Sequence, residues 1–361
     1  MLKRQRLYWA LPFVTALAVA CGDGGSSTDT TGGAGGKGGQ GGSTTSSGST
    51  GGAGGMGGAG GSGPECPSNE GTILAANQLI FGEGNSGEWK SVGFDLDGLT
   101  STAASKDVCM PNAGGSAQVA YPDGDNGIDN SFGKNLLPLI LGLYPTWVKD
   151  INTGIDNGNF TALLKLMCLP PEGDVPQFTT KLFGATALGA MPKFDGTDKW
   201  PVEPGLLSDI MDPETSTILF PNSSLKANQF DAGKNGTFIL SVPLKTAMSS
   251  TSIKLTLYAA KLQMTLSADH KTATPGMVGG VLNTEEFIAE LKKVGALLNL
   301  CGNPLFDNLL TQVRQASDIM ADGTQDPTKT CDGISTGLGF EMAAALINGV
   351  GPANPMGTVC P

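Results

Sequence analysis

The residues in this chain best suited to chemistry are aspartates, and they gather in two places. Asp123-Gly124-Asp125-Asn126-Gly127-Ile128-Asp129-Asn130 sets carboxylates at near-alternate positions around glycine, and Phe94-Asp95-Leu96-Asp97-Gly98 sets two more a residue apart. Calcium takes six to eight oxygens from a loop able to wrap around it. Aspartates that alternate along a glycine-bent loop supply such oxygens. The same composition also makes a plain solvated turn, in which Asn and Asp side chains bond their own backbone. The expectation is a calcium-binding region built from Asp95, Asp97, Asp123, Asp125 and Asp129, with both clusters contributing to one site. A third group, Asp195, Asp198 and Trp200, sets acids beside an indole in Phe194-Asp195-Gly196-Thr197-Asp198-Lys199-Trp200. That is the first place to look for a ligand such as a sugar, although a tryptophan beside acids is more often a core anchor.

The segment from Asp123 resembles Asp-rich calcium loops in general. It departs from the EF-hand, because its glycine comes one residue early and no Glu closes the loop. Phe94–Gly98 resembles the first motif of the haloacid dehalogenase phosphatases, which implies Asp95 as nucleophile and Asp97 as acid/base. That resemblance spans five or six residues. The family wants Thr or Val where Leu99 stands, and its strand–helix repeats are missing. His270 is the single histidine, set in an expected turn between Asp269 and Lys271. A turn is a poor place to bury a base, so a serine or cysteine triad is disfavoured. No residue is assigned a catalytic role. A glycosidase working with two carboxylates alone is the enzymatic alternative.

The N-terminus carries an address. Lys3, Arg4 and Arg6 precede an apolar stretch from Leu7 to Ala20, too short for the roughly 20 residues of a spanning helix but suited to a secretory signal. It ends Leu17-Ala18-Val19-Ala20-Cys21. This resembles the lipobox of bacterial lipoproteins, with Ala18 where the family more often has Leu. The resemblance implies cleavage before Cys21 and a diacylglycerol on its thiol. Gly22, not Asp, follows, which by the sorting rule of enteric bacteria implies the outer membrane. From Gly22 to Pro64 the chain is almost only Gly, Ser, Thr and Ala. It has too little apolar surface to offset the entropy of ordering it, and about 43 such residues span roughly 35 Å. The expected organisation is a signal peptide at 1–20, a lipidated cysteine and tether at 21–65, and a globular domain at 66–361. The last is about 300 residues, enough for one large domain or two modest ones.

The formal charge is −11, and removing Lys3, Arg4 and Arg6 makes the mature chain more acidic still. Nucleic acid is excluded as a partner for such a surface, whereas divalent cations suit it. Seven cysteines are present. Setting Cys21 aside leaves Cys66, Cys109, Cys168, Cys301, Cys331 and Cys360, an even set that in an exported chain reads as three disulfides. Six cysteines allow 15 pairings. Cys301 with Cys331 is preferred, because they flank one expected helix. No Cys-x-x-Cys occurs, so zinc and thiol redox chemistry are poorly supported.

The elements that must position these residues are mainly strands. Thr72–Ile80, Phe160–Cys168, Phe178–Phe183, Thr237–Leu244 and Met277–Leu282 are apolar or β-branched and bounded by turn residues. In Ser252–Leu266 the apolar phase flips at Ala259-Ala260, which predicts a bulge or a break between two strands. Asn283 with Glu286 reads as a capping box before a helix whose stripe is Phe287, Ile288, Leu291 and Val294. Pro304 starts a second helix through Leu305, Leu309, Val313 and Ala316, with Gly323 as its stop. Leu136–Val148 is expected as one helix interrupted by prolines, and Leu338–Ile347 as a strand. Strands throughout with helices late predict a mainly β fold with some α: an antiparallel, jelly-roll-like β-sandwich with a C-terminal helical hairpin packed on it. The layout resembles the glycine-rich surface lipoproteins of myxobacteria, a resemblance that carries no activity. The expected function is a non-enzymatic structural or ligand-binding module of the cell envelope, lipid-anchored at the outer membrane or cell surface and stabilised by calcium. Its partners would be the membrane and a carbohydrate or envelope protein. The alternative is a carbohydrate-binding or carbohydrate-active surface protein.

Overall fold

The computed structural model describes residues 70–84, 87–112, 121–233, 236–245 and 249–361, together with Pro67. They belong to one compact unit, Ser62–Pro361. The expected signal segment, Cys21, the glycine-rich stretch and Cys66 lie outside the described residues.

The chain is mainly β. In chain order its elements are β1 (Thr72–Ile80), α1 (Leu137–Leu143), α2 (Trp147–Asp156), β2 (Thr161–Leu166), β3 (Val175–Ala185), β4 (Lys199–Val202), β5 (Ile218–Lys226), β6 (Gln229–Asp231), β7 (Gly236–Lys245), β8 (Ser250–Leu266), β9 (Thr272–Asn283), α3 (Thr284–Leu297), α4 (Pro304–Gln315), β10 (Gly333–Ala344) and β11 (Leu346–Val350). The strands form a single sheet in the order β11-β4-β3-β2-β1-β10-β9-β8-β6-β5, with β7 on β8. β3 also pairs with β5, so the path from β3 through β1, β10 and β8 to β5 returns to its start. Every pair in that circuit is antiparallel; the parallel β11–β4 pair lies outside it. The expected antiparallel architecture with a helical hairpin on it is present, and the strands are joined in one sheet rather than divided between two. Closure leaves few unpaired edges on which another chain could add a strand.

Alternation along the strands decides the layers. Leu74, Leu164, Leu166 and Leu182 point into the main core, together with Leu262, Val278, Ile334 and Phe340. Their neighbours Ala75, Leu163 and Phe183 turn to the opposite face, where Trp200 and Val202 of β4 cover them in a second cluster. The phase flip in β8 is a bulge within one strand. Ile253 and Leu257 are buried before it and Ala260, Leu262 and Met264 after it, the pairing with β9 slips between Tyr258 and Lys261, and Ala259 takes φ 47°.

The helices follow their caps. The Asn283 side chain accepts from the N–H groups of Glu285 (3.1 Å) and Glu286 (3.2 Å). The expected capping box is half made, because the Glu286 carboxylate turns to the Tyr258 hydroxyl at 2.8 Å instead. Asn283 is also the last residue of β9 and pairs with Gly333, so its backbone is already held in the sheet. Phe287, Ile288, Phe306, Leu310 and Val313 press the α3–α4 hairpin onto the main core. Leu136–Val148 forms two helices, with Pro138 in the first turn of α1 and Pro145 between α1 and α2. Helix α4 ends at Gln315, not near Gly323, which occupies a later turn at φ 80°. The disulfides are Cys109–Cys331 and Cys301–Cys360. The preferred Cys301–Cys331 pairing is therefore wrong: the segment after α4 runs back to the sheet and carries Cys331 away from the hairpin turn. Cys168 is disulfide-bonded as well.

One close approach does most to position the acidic segments. On β10, Ile334, Leu338 and Phe340 face the core, so Ser335 and Gly337 face outward. The segment Val92–Phe94 lies directly on this outer face. A Cβ at Gly337 would sit 2.1 Å from the Val92 carbonyl oxygen, and one at Gly279 of β9 would sit 2.9 Å from the Phe94 ring. Gly337→Ala should lower unfolding stability by about 2 kcal/mol, the usual cost of overpacking against backbone. Gly142→Ala, in α1 with nothing within 4 Å of the new methyl, should raise it by about 0.5 kcal/mol. Urea denaturation of the two variants measures both.

Candidate metal centre

The glycine-flattened patch of β9 and β10 carries both aspartate clusters. Asp129 N–H donates to the Phe94 carbonyl at 2.9 Å, and Leu96 N–H returns a bond to Asp129 Oδ2 at 2.7 Å. These bonds zip the two segments together. Within the first, Gly98 N–H donates to Asp95 Oδ1 (2.6 Å) and Leu99 N–H to Asp97 Oδ1 (2.8 Å), which curls both side chains back over their own turn. Within the second, Asn126 takes φ 56° and Gly124 N–H closes on the Ile128 carbonyl at 2.7 Å. The result brings carboxylate oxygens of Asp95, Asp97 and Asp129 within 4.8 Å of one another. This acidic triad can hold a metal ion. Asp123 lies beside it, its carboxyl hydrogen-bonded to that of Asp129 and to the N–H of Ser101 (2.5 Å). Asp125 is different: it is exposed on the outer side of the turn and stands apart from the triad.

A fifth carboxylate, Asp318, comes from the segment after α4. Ser335 fixes it, donating its N–H to Oδ1 (2.8 Å) and its hydroxyl to Oδ2 (2.5 Å). Gln325 bridges the two sides, donating from Nε2 to Asp97 Oδ2 (2.8 Å) and accepting from Cys109 N–H on Oε1 (2.9 Å). Sequence reading missed both residues. Neither sits in an acidic run, and only the return of the chain along β10 brings them here. Beneath them lies a buried polar network. Asn130 accepts from Gly133 and Gly337 N–H and donates to the carbonyls of Trp89 and Val92. Ser131 links the Ser335 hydroxyl to the Ala316 carbonyl.

The electrostatics are those of crowded acids. Burial, followed by the charge of Asp97, pushes the Asp129 carboxyl up to about 9, although the Leu96 N–H pulls the other way. Burial also raises Asp318 to about 7, against the opposing bonds from Ser335, and raises Asp123 to about 6. Two ammonium groups stand near. Lys261 donates to the Asp95 backbone carbonyl. Lys134 donates to the Pro122 carbonyl at 2.8 Å and lies 5.1 Å from the centre of the Trp89 ring. Both act on carbonyls, and they leave the five carboxylates with a surplus of negative charge.

The other expected sites have different surroundings. Trp200 is fully buried in the second core cluster and has no ring face to offer a sugar. Asp198 is buried, and Oδ2 accepts from the N–H groups of Lys193 (2.9 Å) and Phe194 (2.6 Å), which shapes the loop. Asp195 is exposed, held below the usual carboxylate range by the Thr197 hydroxyl and N–H. The three do not converge on a ligand. His270 is in the expected turn but buried, at φ 55°. Phe94–Gly98 has no helix after it to make a phosphatase motif. Gly333-Ile334-Ser335-Thr336-Gly337 has the spacing of a nucleophile elbow, but it lies within β10 and its serine is fully buried on Asp318. An elbow needs a strand-to-helix turn and an exposed serine.

No family model, curated protein or solved structure matches this chain.

The raised carboxyls make a prediction about pH. Asp123, Asp129 and Asp318 hold their protons more tightly in the folded chain than in the unfolded one. They therefore contribute stability in acid that is lost as pH rises through about 6 for Asp123, about 7 for Asp318 and about 9 for Asp129. In chelator, the melting temperature should fall between pH 5 and pH 9, and Asp129→Asn should flatten that fall. Thermal unfolding followed by circular dichroism measures it.

Proposed function

We propose that this chain is an exported, lipid-anchored protein of the bacterial cell envelope, with a non-enzymatic structural or ligand-binding domain that a calcium ion stabilises. The observation that carries the metal assignment is the convergence of Asp95, Asp97 and Asp129 on one point, with oxygens within 4.8 Å of one another. Every donor there is a hard oxygen, and no histidine or thiolate is among them, which favours calcium over zinc or copper. The fit is supported by the state of the acids without a cation. Burial and neighbouring acidic charge push the carboxyls of Asp123, Asp129 and Asp318 towards neutrality, so a divalent ion that displaces protons removes an unfavourable condition. The backbone donors that hold Asp95 and Asp97 come from within their own turns. Calcium would therefore lock the segment that covers β9 and β10, the role of a structural ion.

The envelope assignment rests on the sequence Leu17-Ala18-Val19-Ala20-Cys21 and the glycine-rich stretch that follows it. A lipid on Cys21 would place the acidic domain near, but clear of, the outer membrane or cell surface. The carbohydrate reading loses its main support with the burial of Trp200, since sugar sites stack rings on exposed aromatics.

Two experiments test the proposal. Calcium at a hundredfold excess over Kd should stabilise the protein by about 2.7 kcal/mol and raise its melting temperature by about 5 °C. Asp97→Asn should diminish that response and Asp125→Ala should leave it intact; equal responses in both variants would show that the triad is not the site. Cys21→Ala should move the protein from the membrane to the soluble fraction and remove the acyl label. Retention in the membrane without a label would end the lipoprotein assignment.

A further inference from the structure

We infer a second divalent-cation site beside the triad, formed by the carboxylates of Asp123 and Asp318 and the hydroxyl of Ser101. These residues line a small polar cavity, with Tyr121 and Gln325 and the Cys109–Cys331 disulfide at its walls. It has room for one water-sized occupant. The decisive group is Ser101. It is 7% exposed, and its Oγ has no hydrogen-bond partner among the described residues. A buried hydroxyl without a partner is costly, and its presence in a cavity lined by two acids points to an occupant that it binds.

The chemistry around it selects a hard cation. Each Asp318 oxygen accepts one bond from Ser335 and keeps a further lone pair. Asp123 uses Oδ2 on the Ser101 N–H, which turns residue 101 towards it. The Tyr121 hydroxyl donates to the Gln315 carbonyl and keeps its oxygen free to accept. Nitrogen and thiolate ligands are absent from this lining, because both cysteines are tied up as a disulfide. Calcium accepts such an irregular oxygen set more readily than magnesium, which demands a near-ideal octahedron. The site goes beyond the triad and stands without it. The two adjoin at Asp123, which neighbours Asp129, and at Gln325, which lines the cavity and donates to Asp97.

Equilibrium dialysis of the full chain against calcium chloride, with elemental analysis of bound metal, tests the inference. Wild type should bind two ions per chain. Ser101→Ala and Asp318→Asn should each weaken one binding step by about tenfold or more, the scale on which losing even an outer partner of a metal site acts, and leave the other step unchanged. Asp97→Asn should do the reverse. Ser101→Ala removes a hydroxyl that has no partner among the described residues, so its melting temperature in chelator should be no lower than wild type, and it decides the matter if Asp318→Asn fails to fold. Calcium binding that is the same in Ser101→Ala and wild type would mean that water fills the cavity, and would overturn the site. Loss of binding in Ser101→Ala with none in Asp97→Asn would keep this site and reject the triad.

Discussion

The close contact between the segment Val92–Phe94 and the outer face of β9 and β10 governs the rest of the site. It exists because Gly279 and Gly337 present no side chain where the covering backbone arrives. A strand normally weakens at glycine. Here the glycines trade strand propensity for a flat surface on which a second layer of backbone can lie. Asn130 completes the contact by bonding the sheet at Gly337 and the cover at Trp89 and Val92. Without that approach Asp95 and Asp97 would belong to an ordinary exposed turn.

Covering the patch has an electrostatic consequence. Carboxylates of Asp129, Asp123 and Asp318 lose water, and among the described residues no ammonium group bonds them in exchange, because Lys134 and Lys261 are spent on backbone carbonyls. Backbone and serine donors offset part of the desolvation, since a carboxylate that accepts such bonds stays ionised more easily. The rest is left as protonation or as cation binding. The stability of this region and its capacity to hold a cation thus have one electrostatic origin.

The covalent frame holds the far wall of the site. Cys109–Cys331 ties the segment after the first acidic cluster to the strand-leading segment before β10, across 222 residues of chain. In the chain-entropy account a loop of that length removes roughly 5 kcal/mol of unfolded-state freedom. Cys301–Cys360 does the same for the helical hairpin, pinning its turn to the C-terminal end. Gln325 sits between disulfide and triad, bonded to Cys109 N–H and to Asp97, so the frame and the acids are mechanically continuous.

Local rules accounted for the elements and for much of the site's raw material. Apolar and β-branched runs bounded by turn residues located β1, β2, β3, β7 and β9, and alternation located β8 and even its bulge, because side-chain phase follows directly from residue order. Asn283 capped the helix that its position implied, and Pro304 stands in the first turn of the next. Asp95, Asp97 and Asp129 stood out because carboxylates on glycine-bent loops suit calcium whatever the fold. Patterning could not reach β4, β5 and β6, which are short or polar and are defined by what they pair with. The sequence alone also could not tell that Trp200 would be covered on every side, that Asp125 would face outward while Asp129 faced in, or that Cys331 would join Cys109. Those outcomes depend on which distant segments meet. Asp318 shows the reason most plainly: a single aspartate with no acidic neighbour joins the cluster only because β10 carries Ser335 to it through the closed sheet. Residue type and spacing set what each segment can do, and long-range strand pairing decided which segments do it together.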